Sequence, residues 1–252
     1  MNEKINQYLI KIEIEKNIKI LFACETGSRA WGFPSLDSDY DVRMIYVHQK
    51  DWYLSINERT DSIERMFENN DIDISGWELR KSLRLLRKSN AALLERIQSP
   101  MIYRADEAFA TDFLAASQIQ YSRIATIHHY LSMAKNFIAD LEATEDYKLK
   151  KFFYALRSAA VCKWILLYEE IPPIEFAKIY PNIGLHNDLV SRIQELIRLK
   201  STISEAYFHH GEADLLAFIR DCIQESEEKR HLLPSSKGTT ETLNILLRKY
   251  VK

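Results

Sequence analysis

Glycine is scarce: the chain has six in 252 residues, beside six prolines and three cysteines. Average usage of ~7% would give roughly 18 glycines in a chain of this length. Few glycines and prolines leave few tight turns, which argues against a sandwich or barrel and for long helices. Cys24, Cys162 and Cys222 are odd in number and far apart. Neither a disulfide framework nor a CxxC metal site is expected from them. No run approaches the ~18 apolar residues of a membrane helix. The stretch from Met1 to Lys19 is charged throughout and lacks a signal-peptide core. A soluble, cytoplasmic protein without a membrane partner is therefore expected. Neither sign of charge dominates, with 34 Lys and Arg against 36 Asp and Glu. Composition thus makes no global case for nucleic acid, although a local basic face could still bind phosphates. The oligomeric state is not legible.

What is present is globular: 46% apolar and 28% charged residues, close to average. The length suits one large domain or two small ones, with a core that needs no staples. The pattern changes near Pro100. Before it, Asn2 to Lys16 carries a helical stripe of Ile5, Leu9 and Ile12. Ile18 to Cys24 reads as a buried strand running into the turn Glu25-Thr26-Gly27-Ser28. Asp39 to Val47, Ile63 to Phe67 and Asp71 to Ile74 read as further strands. Ser75 and Glu78 have capping-box spacing and predict a helix start at Ser75, with Gly76 at its beginning. After Pro100 nearly everything has helical period, as in Ile124, Ile127, Leu131, Ala134, Ile138 and Leu141. Tyr147 to Tyr168 predicts another long helix, stopped by Pro172-Pro173. The expected class is α+β: a small mixed-sheet domain over 1–100, then a helical bundle over 101–252 that completes a cleft.

The chemistry is concentrated in Gly27-Ser28-Arg29-Ala30-Trp31-Gly32 and Asp37-Ser38-Asp39-Tyr40-Asp41. On a strand, residues two apart share a face, so Asp39, Asp41 and Arg43 are expected together. Two carboxylates this close repel unless a cation separates them. Mg²⁺ suits them, being a hard cation that takes one or two carboxylates plus substrate phosphates. A third acid, Asp73, lies between Ile72 and Ile74, and Asp71 shares its face and competes for the role. Three converging carboxylates could hold two Mg²⁺ ions, with Mn²⁺ the alternative metal. Gly27 permits positive φ and close backbone approach. Ser28 then opens a short helix whose N–H groups suit phosphate. Neither the Walker A pattern nor GxGxxG occurs.

Gly27-Ser28, ten intervening residues, Asp39-x-Asp41 and a later apolar-Asp-apolar strand together resemble the DNA polymerase β-like nucleotidyltransferase superfamily. The text GSRAWGFPSLDSDYDVR, with DIDISGWELRKSLRLL and FYALR, is similar to its RNA-repair-associated branch. The resemblance is strongest over the first 100 residues and looser to Pro173. It implies a polymerase β-like fold, phosphate contacts from Gly27 and Ser28, and metal binding by Asp39, Asp41 and Asp73. It further implies attack of an acceptor hydroxyl on the α-phosphate of an NTP, Asp73 helping to take the proton, with pyrophosphate leaving. An RNA 3′ end is the acceptor it implies.

Other residues carry two readings each. Arg29 and Arg43 could contact phosphate or form structural ion pairs. Trp31 and Phe33 are read as local packing rather than base stacking. Arg80, Arg84, Arg87 and Lys88 form a basic helix face, either merely solvated or, through Arg84 or Arg80, touching phosphate. Arg157 sits among apolar residues and wants a carboxylate or phosphate partner. Tyr154, three residues earlier on that helix, could support the base or ribose. The adjacent pairs His128-His129 and His209-His210 point too far apart on a helix to chelate a metal. Two rival functions stand beside RNA nucleotidylation: modification of a protein or of a small molecule such as an aminoglycoside, and a non-catalytic nucleotide- or RNA-binding module of a toxin–antitoxin-like pair.

Overall fold

The computed structural model describes all 252 residues. They form two compact units, the first made of residues 1–30, 39–121 and 236–252, the second of 31–38 and 122–235. The class is α+β, with a mixed five-stranded sheet in the first unit.

In that unit, α1 (Asn2–Lys16) buries its stripe of Ile5, Leu9 and Ile12. The strands are β1 (Ile18–Glu25), β2 (Tyr40–His48), β3 (Ser62–Phe67), β4 (Ile72–Glu78) and β5 (Ile102–Ala105), ordered β3-β4-β2-β1-β5. Only β2 and β4 run parallel; the other neighbours are antiparallel. The nearly continuous burial of β1 follows from its central place, covered on both faces. By contrast, β4 alternates between buried and half-buried residues. Its Ile72 and Ile74 join Val42, Met44 and Tyr46 of β2 in a core under the α1 stripe. Alternation sends Asp73 of β4 and Asp41 and Arg43 of β2 to the other face. The short helices α2 (Gly27–Trp31) and α3 (Lys50–Tyr53) flank β2, and α4 (Leu79–Arg87) follows β4.

The expected helix start at Ser75 is corrected. Strand β4 continues to Glu78, because Trp77 and Glu78 still pair with Ile45 and Tyr46 of β2. Glu78 is itself the N-cap of α4, accepting from the Lys81 N–H. Gly76 therefore lies within the strand. A β-carbon there would sit 2.5 Å from Met44 Cγ, so glycine serves close packing against β2.

The division also differs from a break at Pro100. Helix α5 (Ala91–Arg96) leads to β5, which pairs with β1, and α6 (Glu107–Gln120) follows. The C-terminal helix Thr240–Tyr250 returns to this unit, where Lys249 and Tyr250 both bond Asp112 of α6.

The second unit is helical: α7 (Arg123–Glu142), α8 (Leu149–Leu167), α9 (Asn187–Ser201) and α10 (Ala213–Lys229), with a two-stranded ribbon of β6 (Tyr147–Lys148) and β7 (Phe208–His209). The seam of α7 is buried at Ile127, Leu131, Ala134, Ile138 and Leu141. The segment 31–38 is fixed in this unit. Phe33 stacks on Phe153 at 4.8 Å, Lys200 Nζ donates to Ser35 Oγ at 2.8 Å, and the Glu205 N–H donates to Asp37 at 2.8 Å. No helix is long and apolar enough to cross a membrane.

Candidate active site

Parallel pairing of β2 with β4 places Asp41 directly opposite Asp73. Arg43, two residues beyond Asp41 on the same face, joins them: its Nη2 lies 2.7 Å from Asp41 Oδ1 and 2.8 Å from Asp73 Oδ2. Its Nη1 donates to the carbonyls of Val42 and Asp73, each at 3.1 Å. One guanidinium thus occupies the place between two carboxylates where repulsion demands a cation.

Asp41 is also gripped by the turn after β1. The Thr26 N–H donates to the Asp41 carbonyl at 2.9 Å, and Thr26 Oγ1 does so at 3.1 Å. The Asp41 N–H donates to Glu25 Oε1 at 2.7 Å. Gly27 has φ +62°, and a β-carbon on it would lie 2.1 Å from Asp41 Oδ2. Gly27 is therefore required twice, for its left-handed backbone and for the space the carboxylate fills. Ser28 follows, buried at the start of α2.

The other candidates are placed as follows. Strand β2 begins at Tyr40, so Asp39 stands exposed in the turn before it. Its carbonyl accepts from Arg29 Nε at 2.9 Å, and the Arg29 guanidinium lies 3.9 Å above the Tyr40 ring. Arg29 thereby ties the Asp39 turn to α2. Two of the three expected carboxylates are drawn together and Asp39 remains in the turn; no three metal-binding side chains form a closed set. Asp71 also precedes its strand, exposed, its carbonyl accepting from the Tyr40 N–H. Arg84 is not brought to the acids. It is exposed on α4, beside grooves that adjoin Tyr53 and the C-terminal helix.

Tyr154 and Arg157 belong to α8 in the second unit. Arg157 is buried, its Nη2 donating to the Ile174 carbonyl at 3.1 Å and its guanidinium 4.5 Å from the Trp31 ring. Tyr154 meets Trp31 edge-on at 5.4 Å, and Trp31 packs against Phe33 at 5.7 Å.

Two residues that sequence reasoning passed over border the site. Glu25 is fully buried. Beyond holding the Asp41 N–H, it accepts from the Tyr103 hydroxyl. Burial pushes its carboxyl up to about 7. A charged residue closing the apolar run IKILFAC was the available signal. Arg96 of α5 is buried with its guanidinium 3.4 Å above the Trp77 ring, and it feels both Arg43 and Asp73. Burial lowers it to about 9, and its Nη1 has no hydrogen-bond partner. Nothing in its local sequence marks it.

The donor chemistry of the pair, two carboxylates, is of the kind a hard divalent cation takes, without a third ligand closing the set. Hard carboxylate oxygens from two strands already enclose a positive group, and Asp39 stands ahead of the same strand. Over residues 1–249 the sequence matches RlaP, described as the RNA repair pathway DNA polymerase beta family. The chain belongs to that family. A relative in sequence is the "Uncharacterized protein YcgL" of Bacillus subtilis (strain 168). It is 39% identical over 254 residues, covering 98% of this chain and 95% of that protein. Among solved structures, a nucleotidyltransferase-like protein from Exiguobacterium sibiricum 255-15 is similar at TM-score 0.34 and 12% identity. That likeness covers 90% of this chain and 74% of that one.

Proposed function

We propose that this RlaP-family protein is a metal-dependent nucleotidyltransferase that moves a nucleoside monophosphate from an NTP to an acceptor hydroxyl and releases pyrophosphate. The observation that carries the reading is the pairing of Asp41 with Asp73 across β2 and β4, bridged by one guanidinium. In this reading Asp41, Asp73 and Asp39 hold Mg²⁺, with Mn²⁺ as the alternative. When bound, the metal would supply charge neutralisation at the triphosphate and would lower the pKa of the acceptor hydroxyl. Asp73 accepts the hydroxyl proton. Gly27 and Ser28 receive the triphosphate, and Arg29 fixes the turn that carries Asp39. Catalysis then rests on positioning and on charge complementarity at the α-phosphate. The family description, an RNA repair pathway, supports RNA over a protein or an aminoglycoside as acceptor, and an RNA 3′ end is the hydroxyl in this reading.

The test is incubation with each α-labelled NTP, Mg²⁺ or Mn²⁺, and pools of RNA, protein and small acceptors. Label transfer with pyrophosphate release is expected, and Asp41→Asn should abolish it while the domain stays folded. Absence of transfer and of pyrophosphate with all four NTPs overturns the reading.

A further inference from the structure

We infer that the face formed by α4, the C-terminal helix and residues 52–61 binds single-stranded nucleic acid. Arg80, Arg84 and Arg87 are spaced four and three residues apart, so they share one face of α4. Most basic side chains of this protein are engaged, as Lys81 is with Asp61 at 2.8 Å. Arg84 and Arg87 are exposed and take no part in the ion pairs or hydrogen bonds of the fold. Arg80 lies 4.9 Å from the Tyr53 ring.

These arginines line two grooves. One, of about 260 Å³, runs between α4 and the C-terminal helix over Leu83, Leu243 and Leu247. The other, of about 280 Å³, lies between α4 and residues 52–61 and is walled by Trp52, Tyr53 and Arg59. Both include Arg80 and Arg84, so they meet along α4. Trp52 and Arg59 in turn border a third hollow of about 430 Å³ with Lys16 and Arg65.

The acids along the second groove are mostly spent. Glu78 is buried and accepts from Tyr53 and the Lys81 N–H, and Asp61 holds Lys81. Glu58 is the exception on its rim. With a net charge of −2 overall, attraction for a polyanion has to come from such a local patch. Exposed Arg84 and Arg87 along connected grooves suit a strand whose phosphates follow the cations and whose unpaired bases meet the leucines and the aromatic residues of the walls, Tyr53 lying under Arg80 and Trp52 stacked on His48 at 4.3 Å. An acidic protein segment would use the charges and leave the aromatic walls idle.

The inference stands apart from the transfer reaction, and its test omits NTP and divalent metal. Fluorescence anisotropy with a labelled mixed-sequence 20-mer RNA, its DNA counterpart, the matching duplex and a poly-glutamate peptide is recorded in EDTA over a KCl series. Binding to the single strands is expected, with the RNA and DNA arms showing whether the ribose hydroxyl matters. The double variant R84A/R87A should bind at least ~10-fold more weakly, with the salt slope shallower by about 1.4 for two lost phosphate contacts. R84K/R87K should keep the slope. Alanine suits exposed helix positions, and a circular-dichroism melt confirms the fold. No binding to any single strand, equal binding of duplex or poly-glutamate, or an unchanged slope in R84A/R87A would each overturn the inference.

Discussion

A β-carbon on Gly27 would lie 2.1 Å from Oδ2 of Asp41, closer than any real side chain permits. The turn after β1 and the start of β2 are therefore one packed unit. Thr26 holds the Asp41 carbonyl and Glu25 its N–H, while the side chain fills the space above Gly27.

Gly27→Ala should strain the turn and displace the carboxylate together. A left-handed L-residue costs about 1–2 kcal/mol, which at this chain length lowers Tm by roughly 2–4 °C per kcal/mol. The effect on transfer should be larger, at least ~100-fold, because the carboxylate proposed to hold the metal moves while the fold survives. Calorimetry and the labelled-NTP assay measure the two effects separately. A variant with both wild-type Tm and wild-type turnover would show that Asp41 is not held by this contact.

Much of this arrangement was legible because it is local. The strand β1, the Gly27 turn and the start of β2 are marked by short-range patterns: an apolar run, a glycine, and alternation through Val42 and Met44. The pairing of Asp41 with Asp73 needed the register of two strands 32 residues apart, which a motif suggests and only folding fixes. The length of β4 was misread because S-x-x-E spacing mimics a helix cap, while pairing on both edges of β4 keeps the strand going to Glu78. Strand β5 was missed since its four residues show no clean alternation of burial. Arg96 was invisible for a related reason: its position over the Trp77 ring depends on where α5 is packed, not on its neighbours in sequence.

Arg43 makes the acid pair tolerable without metal. Arg43→Gln should leave Asp41 and Asp73 facing each other with no cation between them. Loss of charged hydrogen bonds of this kind costs about 1.5–3 kcal/mol, so the melting temperature in EDTA should fall. A cation that binds only the folded protein restores stability by mass action. Mn²⁺ should therefore raise the Tm of Arg43→Gln more than that of wild type. An equal shift in both proteins would show that Arg43 and the metal do not share the carboxylates.

The second unit carries its own pH signature. Lys200 is buried, bonded to Ser35 Oγ, and burial lowers its ammonium to about 8, against the pull of Glu205. Between that value and the ordinary 10.5, unfolded Lys200 keeps a proton that the folded residue has released. The unfolded state then binds more protons, so this group's contribution to stability rises with pH through the window. Lys200→Met removes the effect. In urea unfolding, wild-type stability relative to Lys200→Met should increase by up to about 2 kcal/mol between pH 7.5 and 9.5. A constant difference would mean that Lys200 titrates at its ordinary value.

The choice between Asp71 and Asp73 as third carboxylate can be decided by substitution. Asp73 sits in register with Asp41 and shares its guanidinium, whereas Asp71 lies ahead of the strand and contributes its carbonyl to the Tyr40 N–H. Asparagine keeps the shape of each side chain but removes the charge and the proton acceptor. Asp73→Asn should lower transfer by about 10²–10⁴-fold, the range for loss of a general base. Asp71→Asn should stay within a few-fold, because its backbone contact is untouched. Measuring kcat and KM for the NTP separates the roles further. A role in taking the acceptor proton lowers kcat with little change in KM, whereas a merely structural Asp73 would lower Tm and leave the kcat of the folded fraction intact.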